Sequence, residues 1–170
     1  MDIETDDALI GIGKLHRVMV WDGQREREEE MLWGLPSRDP EVFQIPLLKS
    51  ETAIVDRPCL LLANEFGLVK RGKTIYAASL ITDEPFFCIA AVWRPAHRLW
   101  PESFAALTVP AYDDLAPHKD RHVGVVRPED WFDWLMGTRP PLDMLQPFPK
   151  NSFSIMPPIQ QNFDEMLGAA

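Results

Sequence analysis

Short apolar runs broken by turn residues dominate the chain, and long helical stripes are missing. HRVMVWDG, residues 16–23, alternates and ends in Asp-Gly, which predicts a strand running into a turn. MLWGL, residues 31–35, is its expected partner, with REREEE, residues 25–30, as an acidic, solvated return segment. LPSRDPEVFQIP is a proline-punctuated loop. CLLLANEFGLVK, residues 59–70, reads as one strand interrupted near Asn64, followed by a turn at 71–73 and a return strand at 74–81. PFFCIAAVW, residues 85–93, is a continuous apolar run of strand length, expected to be a central strand covered on both faces. Further strands are predicted at 103–109 and 122–126, separated by a short helical turn that Pro117 stops.

RPEDWFDWLMG is the clearest helix. Pro128 suits the first turn, Glu129 and Asp130 suit its positive end, and Gly137 suits the C-terminal cap. Trp131, Trp134 and Leu135 fall on one face, which is expected to pack on the core. PLDMLQPFP predicts one more helical turn, and residues 152–156 a last strand. Residues 1–15 read as a flexible acidic arm, 16–156 as one domain and 157–170 as a tail. The sum is a single α+β domain dominated by antiparallel strands with a few short helices.

Composition narrows this picture. A hydrophobic fraction of 46% supports a packed core, and 16 Pro against 9 Gly favours many short elements. No apolar run approaches the roughly 18 residues that span a bilayer, so no membrane partner is expected. The N-terminus begins acidic, unlike a secretory signal. The expectation is a soluble, cytoplasmic protein. Cys59 and Cys88 sit in apolar runs without metal-ligand spacing, so neither a metal site nor a cofactor is expected. The net charge of −9 argues against coating long duplex DNA by phosphate neutralisation. Local basic clusters nevertheless occur at Lys70, Arg71 and Lys73, and from Arg94 to Arg98.

The densest titratable cluster is HKDRH, residues 118–122, just before an apolar strand. Three readings fit it: a catalytic turn, a nucleic-acid contact, or a solvated corner. His16 and His97 show no ligand spacing and read as surface residues.

Six segments, in order, resemble the SRAP domain (SOS response-associated peptidase, the abasic-site crosslinking proteins). MLWGL is similar to that family's Met-Arg-Trp-Gly-Leu, and LLKSET, residues 47–52, to its Asn-Ala-Arg-Ser-Glu-Thr. RPCLLLANEFGLVKRGK resembles the segment ending Gly-Phe-Tyr-Glu-Trp, and EPFFCIAAVW the strand ending Phe-Ala-Gly-Leu-Trp. LTVPAYDDLAPHKDRHVGVVRPEDWFDWL resembles the segment carrying His-x-Arg-Met-Pro-Val and its Trp-Leu helix, and LDMLQPFP the late Leu-x-Pro-Tyr-Pro. The resemblance implies antiparallel, barrel-like sheets and binding of single-stranded DNA at abasic sites. In that family a Cys exposed by Met removal forms a thiazolidine with the sugar aldehyde, assisted by a Glu, a His and an Asn.

The departures fall on that chemistry. Asp2 stands where the nucleophilic Cys is expected, Leu47 where the Asn is, and Leu68 where the Glu is. Glu65 lies three residues earlier, an odd offset that in a continuous strand puts it on the opposite face. Lys49 replaces the motif's Arg and keeps its charge without the bidentate fork. The catalytic His aligns with Lys119 on one spacing and with His118 on another. His122 replaces the family Met, where a satisfied structural role is expected. Trp33, Arg38, Lys49 and Arg121 are the candidate nucleic-acid contacts that the resemblance implies.

The resulting expectation is a degenerate SRAP-like protein, a pseudoenzyme rather than an enzyme, that binds single-stranded or damaged DNA or a protein partner without covalent chemistry. One alternative is a residual peptidase or abasic-site lyase using His118 or Lys119. Another is an acidic interaction module with no nucleic-acid role, which the charge and the REREEE run favour.

Overall fold

The architecture begins with a hairpin of β1 (Leu15–Trp21) and β2 (Glu26–Trp33), in which Leu15 faces Leu32 and Trp21 faces Glu26. Asp22 closes the turn by accepting the backbone N–H groups of Gln24 and Arg25. The structure, a computed structural model, describes residues 12–39, 41, 44–70 and 74–156. The REREEE run is not a return loop; most of it is β2 itself. Strand alternation turns Glu26, Glu28 and Glu30 outward and buries Met31 and Trp33. Arg17 on β1 pairs with Glu28 across the strands, which offsets part of the acidic repulsion. The ladder also starts earlier than an arm ending at residue 15 would allow. Gly13 N–H donates to Trp33 O, and Trp33 N–H to Lys14 O.

Two-residue strands β3 (Leu35–Pro36) and β4 (Gln44–Ile45) pair with each other, and β5 (Leu47–Lys49) follows. The run 59–70 divides into β6 (Pro58–Ala63) and β7 (Phe66–Lys70), which belong to different sheets. β7 pairs with β8 (Thr74–Leu80), and β8 with the last strand, β13 (Phe153–Met156). β6 pairs with β1 and with β9 (Phe87–Arg94), the central strand, buried from Phe87 to Val92. β9 pairs with β10 (Ser103–Pro110), and β10 with β2, so β10, β2, β1, β6 and β9 follow one another around a ring.

The sheet is mixed, which qualifies the antiparallel expectation. β10 runs parallel to both β2 and β5. Neither neighbour is joined to β10 by a tight turn, so no hairpin dictates the direction.

β9 and β10 stay paired only as far as Ala91 opposite Ala106. Beyond that point a chain segment wedges between them. β11 (Arg121–Val123) adds to β10, and β12 (Val125–Val126) adds to β9. The single strand expected at 122–126 is therefore two, with different partners. Gly124 joins them: its N–H donates to Leu107 O and its carbonyl accepts Ala90 N–H. A Cβ at Gly124 would lie 3.0 Å from Val109 Cγ1, so a side chain there would crowd the wedge.

The expected helix at 127–137 is shorter than predicted. Pro128–Asp130 form a 3-10 turn, and α1 spans Trp131–Met136, ending at Gly137 with φ 66°. Trp134 is buried and donates from Nε1 to Cys59 O at 2.9 Å, seating α1 on β6. A further 3-10 turn spans Pro141–Met144. Cys59 and Cys88 are buried free thiols. Burial pushes both thiols up, Cys88 to about 12. The proposed tail at 157–170 and most of the arm, 1–11, lie outside the described residues.

Candidate functional site

Two cavities meet at Gly67 on β7. The first, about 310 Å³, lies where β6 gives way to β7 and is lined by His16, Trp33, Asn64, Glu65 and Gly67. The second, about 280 Å³, is lined by Leu47, Lys49, Gly67, Lys119, Arg121 and His122. A third trough, about 550 Å³, adjoins the first at His16, Ala63 and Asn64 and carries Arg17, Glu28 and Glu30. The result is a polarised groove, cationic around Lys49 and Lys119 and acidic toward the outer face of β2.

Trp33 is a wall of the first cavity and not an open stacking platform, being only 4% exposed. Its Nε1 donates to Pro46 O at 2.9 Å, and its ring stacks on Phe104 at 5.7 Å. His16 meets it edge-on at 5.5 Å. His16 is half-buried and lines two cavities, which corrects the surface reading. Alternation in β1 carried the signal, since His16 shares a face with the buried Val18 and Val20. His97 is exposed, as expected.

Glu65 also reaches the first cavity. The opposite-face expectation requires one continuous strand, but the chain breaks at 64–65 between two sheets, so alternation does not carry across. Leu68, one residue beyond Gly67, is fully buried and belongs to the core.

The HKDRH turn divides its residues between different environments. Asp114 fixes the turn: its carboxylate accepts the N–H groups of Asn151, Ser152 and Phe153 at 2.8–3.0 Å. Partial burial acts against ionisation there, but those three donors hold its pKa below the usual value. Backbone N–H groups of His118 and Lys119 both donate to Leu115 O. His118 turns toward Tyr76, ring centroids 4.8 Å apart, and lines neither of the cavities that meet at Gly67. Its Nδ1 is buried without a hydrogen-bond partner among the described residues. Lys119 lines the second cavity, where burial lowers its pKa. Among the described residues, no carboxylate lies within ion-pair distance of Lys119 or Lys49.

Arg121 is committed elsewhere. It forks onto Glu51 and also donates to Thr108 O at 2.9 Å. His122 is structural. Its Nε2 accepts Tyr112 N–H at 3.0 Å, so the proton sits on Nδ1, which faces Val123 O at 2.8 Å. Burial lowers its pKa to about 4, and Arg121 and Lys119 push the same way. Arg38 is exposed on the loop after β3 and lines none of these cavities. Asp2 lies outside the described residues.

Among the described residues, no cluster of three His, Cys, Asp or Glu could hold a metal ion. No helix among them is long and apolar enough to cross a membrane.

No protein-family model matches the chain, and no curated protein does. Solved structures share its fold. A protein from Bacteroides thetaiotaomicron superposes with a TM-score of 0.68 at 16% identity, over 84% of this chain and 73% of that one. A phage-related protein from Bordetella bronchiseptica also superposes with a TM-score of 0.68, at 21% identity, over 88% of this chain and 80% of that one. At these identities the likeness extends to the fold alone.

Proposed function

We propose that this chain is a degenerate SRAP-like protein that binds a short single-stranded nucleic acid non-covalently in the groove around Gly67. The observation that carries the reading is convergence. Leu47 and Lys49 on β5, and Lys119 and Arg121 around the start of β11, come from separate motifs of the resemblance yet line one cavity. Two ammonium groups without carboxylate partners among the described residues are suited to phosphate oxygens. The net charge of −9 and the Glu28–Glu30 end of the groove limit such contact to a short segment, so binding is weak and salt-sensitive. Asp2, Leu47 and Leu68 lack the thiol, amide and carboxyl that thiazolidine formation uses. An enzymatic role for His118 has less support, because its ring lies outside both cavities at Gly67.

Fluorescence anisotropy with a labelled single-stranded oligonucleotide, intact or abasic, tests this reading, followed by a denaturing gel. Binding at low salt that weakens as salt rises, with no heat-stable crosslink, is the expected result. A heat-stable crosslink without added reductant would overturn the non-covalent reading. Absence of binding even at low salt would leave the acidic face of β2 as the better candidate surface, for a protein partner.

A further inference from the structure

The loop between β9 and β10 closes into a tight hairpin. His97 and Trp100 exchange backbone hydrogen bonds in both directions, at 2.9 and 3.0 Å, which leaves only Arg98 and Leu99 in the turn. Arg98 has φ 55°, in the left-handed region that side chains disfavour. Such a conformation persists only where its surroundings over-determine it. Here the two backbone bonds do so, together with Trp100 Nε1, which donates to Gly34 O at 3.1 Å and anchors the hairpin beside the end of β2. The tip so held presents Leu99 fully exposed, next to an exposed Arg98 that has no carboxylate within ion-pair distance among the described residues. A pre-ordered tip loses little conformational freedom when it is buried against a partner.

The third trough, about 550 Å³, has the complementary character. Leu15, Leu62, Pro85 and Phe86 give it apolar walls, and Glu28 and Glu30 on β2 give it negative charge. Arg17 already pairs with Glu28, but Glu30 has no ion-pair partner among the described residues. The Pro85–Phe86 wall precedes β9 and the hairpin follows it, so that wall and the tip stand at opposite ends of an eight-residue strand. Full exposure of Leu99 means that the tip does not fill the trough of its own chain. We propose that the Arg98–Leu99 tip of one copy of this chain seats in the Glu28–Glu30 trough of a second copy. Leu99 enters between the apolar walls, and Arg98 meets Glu30. Each copy carries one tip and one trough, so two copies can satisfy each other reciprocally or the contact can run on from copy to copy. One hairpin tip covers little area, and self-association is accordingly weak. The inference goes beyond the nucleic-acid reading and requires no nucleic acid.

The test is sedimentation equilibrium of the full chain from micromolar to millimolar concentration, without oligonucleotide. The weight-average mass is expected to rise with concentration. Leu99→Asp should lower the association constant at least about tenfold, the loss expected when a buried Leu contact is removed. Arg98→Glu alone and Glu30→Arg alone should each abolish association, because each sets like charges against each other. An equimolar mixture of those two variants should recover it, since every tip then finds a trough of opposite charge. A mass that stays at that of one chain across the range overturns the proposal. So does association that Leu99→Asp or Arg98→Glu leaves unchanged, and so does a mixture no heavier than its separate components. All three side chains are exposed, and recovery on mixing requires both charge variants to be folded, so misfolding is distinguished from loss of the contact. Oligonucleotide binding by a strictly monomeric chain defeats this inference and leaves the preceding one standing; self-association without oligonucleotide binding does the reverse.

Discussion

Arg121 and Glu51 form a two-pronged ion pair, with Nη1 and Nη2 each 2.8 Å from a carboxylate oxygen. The pair ties the start of β11 to the turn after β5, and Ser50 Oγ supports it by donating to Glu51 at 2.7 Å. It also decides which cations of the groove are available to a ligand. Arg121 is neutralised, whereas Lys49 and Lys119 have no carboxylate partner among the described residues.

Acid should therefore weaken this tie. The Arg121 hydrogen bond, then that of Ser50, lowers the Glu51 pKa to about 2 from 4.5. A carboxylate lowered in the folded state contributes stability that is complete above the unfolded value and is lost as pH falls through the folded one. The melting temperature of the wild type should fall between pH 4.5 and about 2. Thermal melts across that window should show a smaller fall for Glu51→Gln. Equal slopes would mean that the ion pair contributes nothing to folding.

His122 acts in a higher window. Its folded pKa of about 4 lies below the ordinary 6.5, so the unfolded chain binds the proton first as pH drops. Stability from this residue is complete above 6.5 and declines toward pH 4. Replacing it with Ala should flatten that part of the profile. The same change strips the buried Tyr112 N–H of its acceptor, at a cost of about 1–3 kcal/mol at neutral pH. Urea titrations at pH 7.5 and pH 5 separate the two effects.

Gly34 has φ +143°, and a Cβ there would meet the Gln44 side chain. Its backbone is also engaged on both sides, by Phe104 O and by Trp100 Nε1. Gly34→Ala should destabilise the fold by about 1–3 kcal/mol. A denaturant midpoint equal to that of the wild type would refute the constraint.

Lys49→Ala should weaken oligonucleotide binding and make its salt dependence shallower by about 0.7 in log–log slope, the share of one phosphate contact on a single strand. Arg121→Gln should change melting more than it changes that slope, because its charge is already met. Anisotropy titrations at several salt concentrations compare the two variants. A larger slope change for Arg121→Gln would reverse the assignment.

Much of the scaffold is legible in the sequence. Alternation in 16–21 and the Asp-Gly turn place the first hairpin, and the unbroken apolar run at 85–93 places the central strand. Pro128 and Gly137 bracket α1. The HKDRH turn attracts attention for good reason, but local pattern gives both its basic residues equal standing. Tertiary contacts separate them: His118 lies against Tyr76, and Lys119 lines the second cavity. Glu65 escapes a local reading because its segment looks like continuous strand, whereas the alternation of β1 already puts His16 on the face of Val18 and Val20.

Local periodicity and turn chemistry, which act over a few residues, determine where this chain forms strands, where it turns and which faces are apolar. They do not determine which strands meet. The parallel pairing of β10 with β2 and β5, the wedge at Gly124 and the division of 59–70 between two sheets depend on contacts between distant segments, whose partners no short window contains. The groove exists only through those contacts. Its lysines come from β5 and from the turn before β11, and they become a site because both strands pair with β10, one along each of its edges.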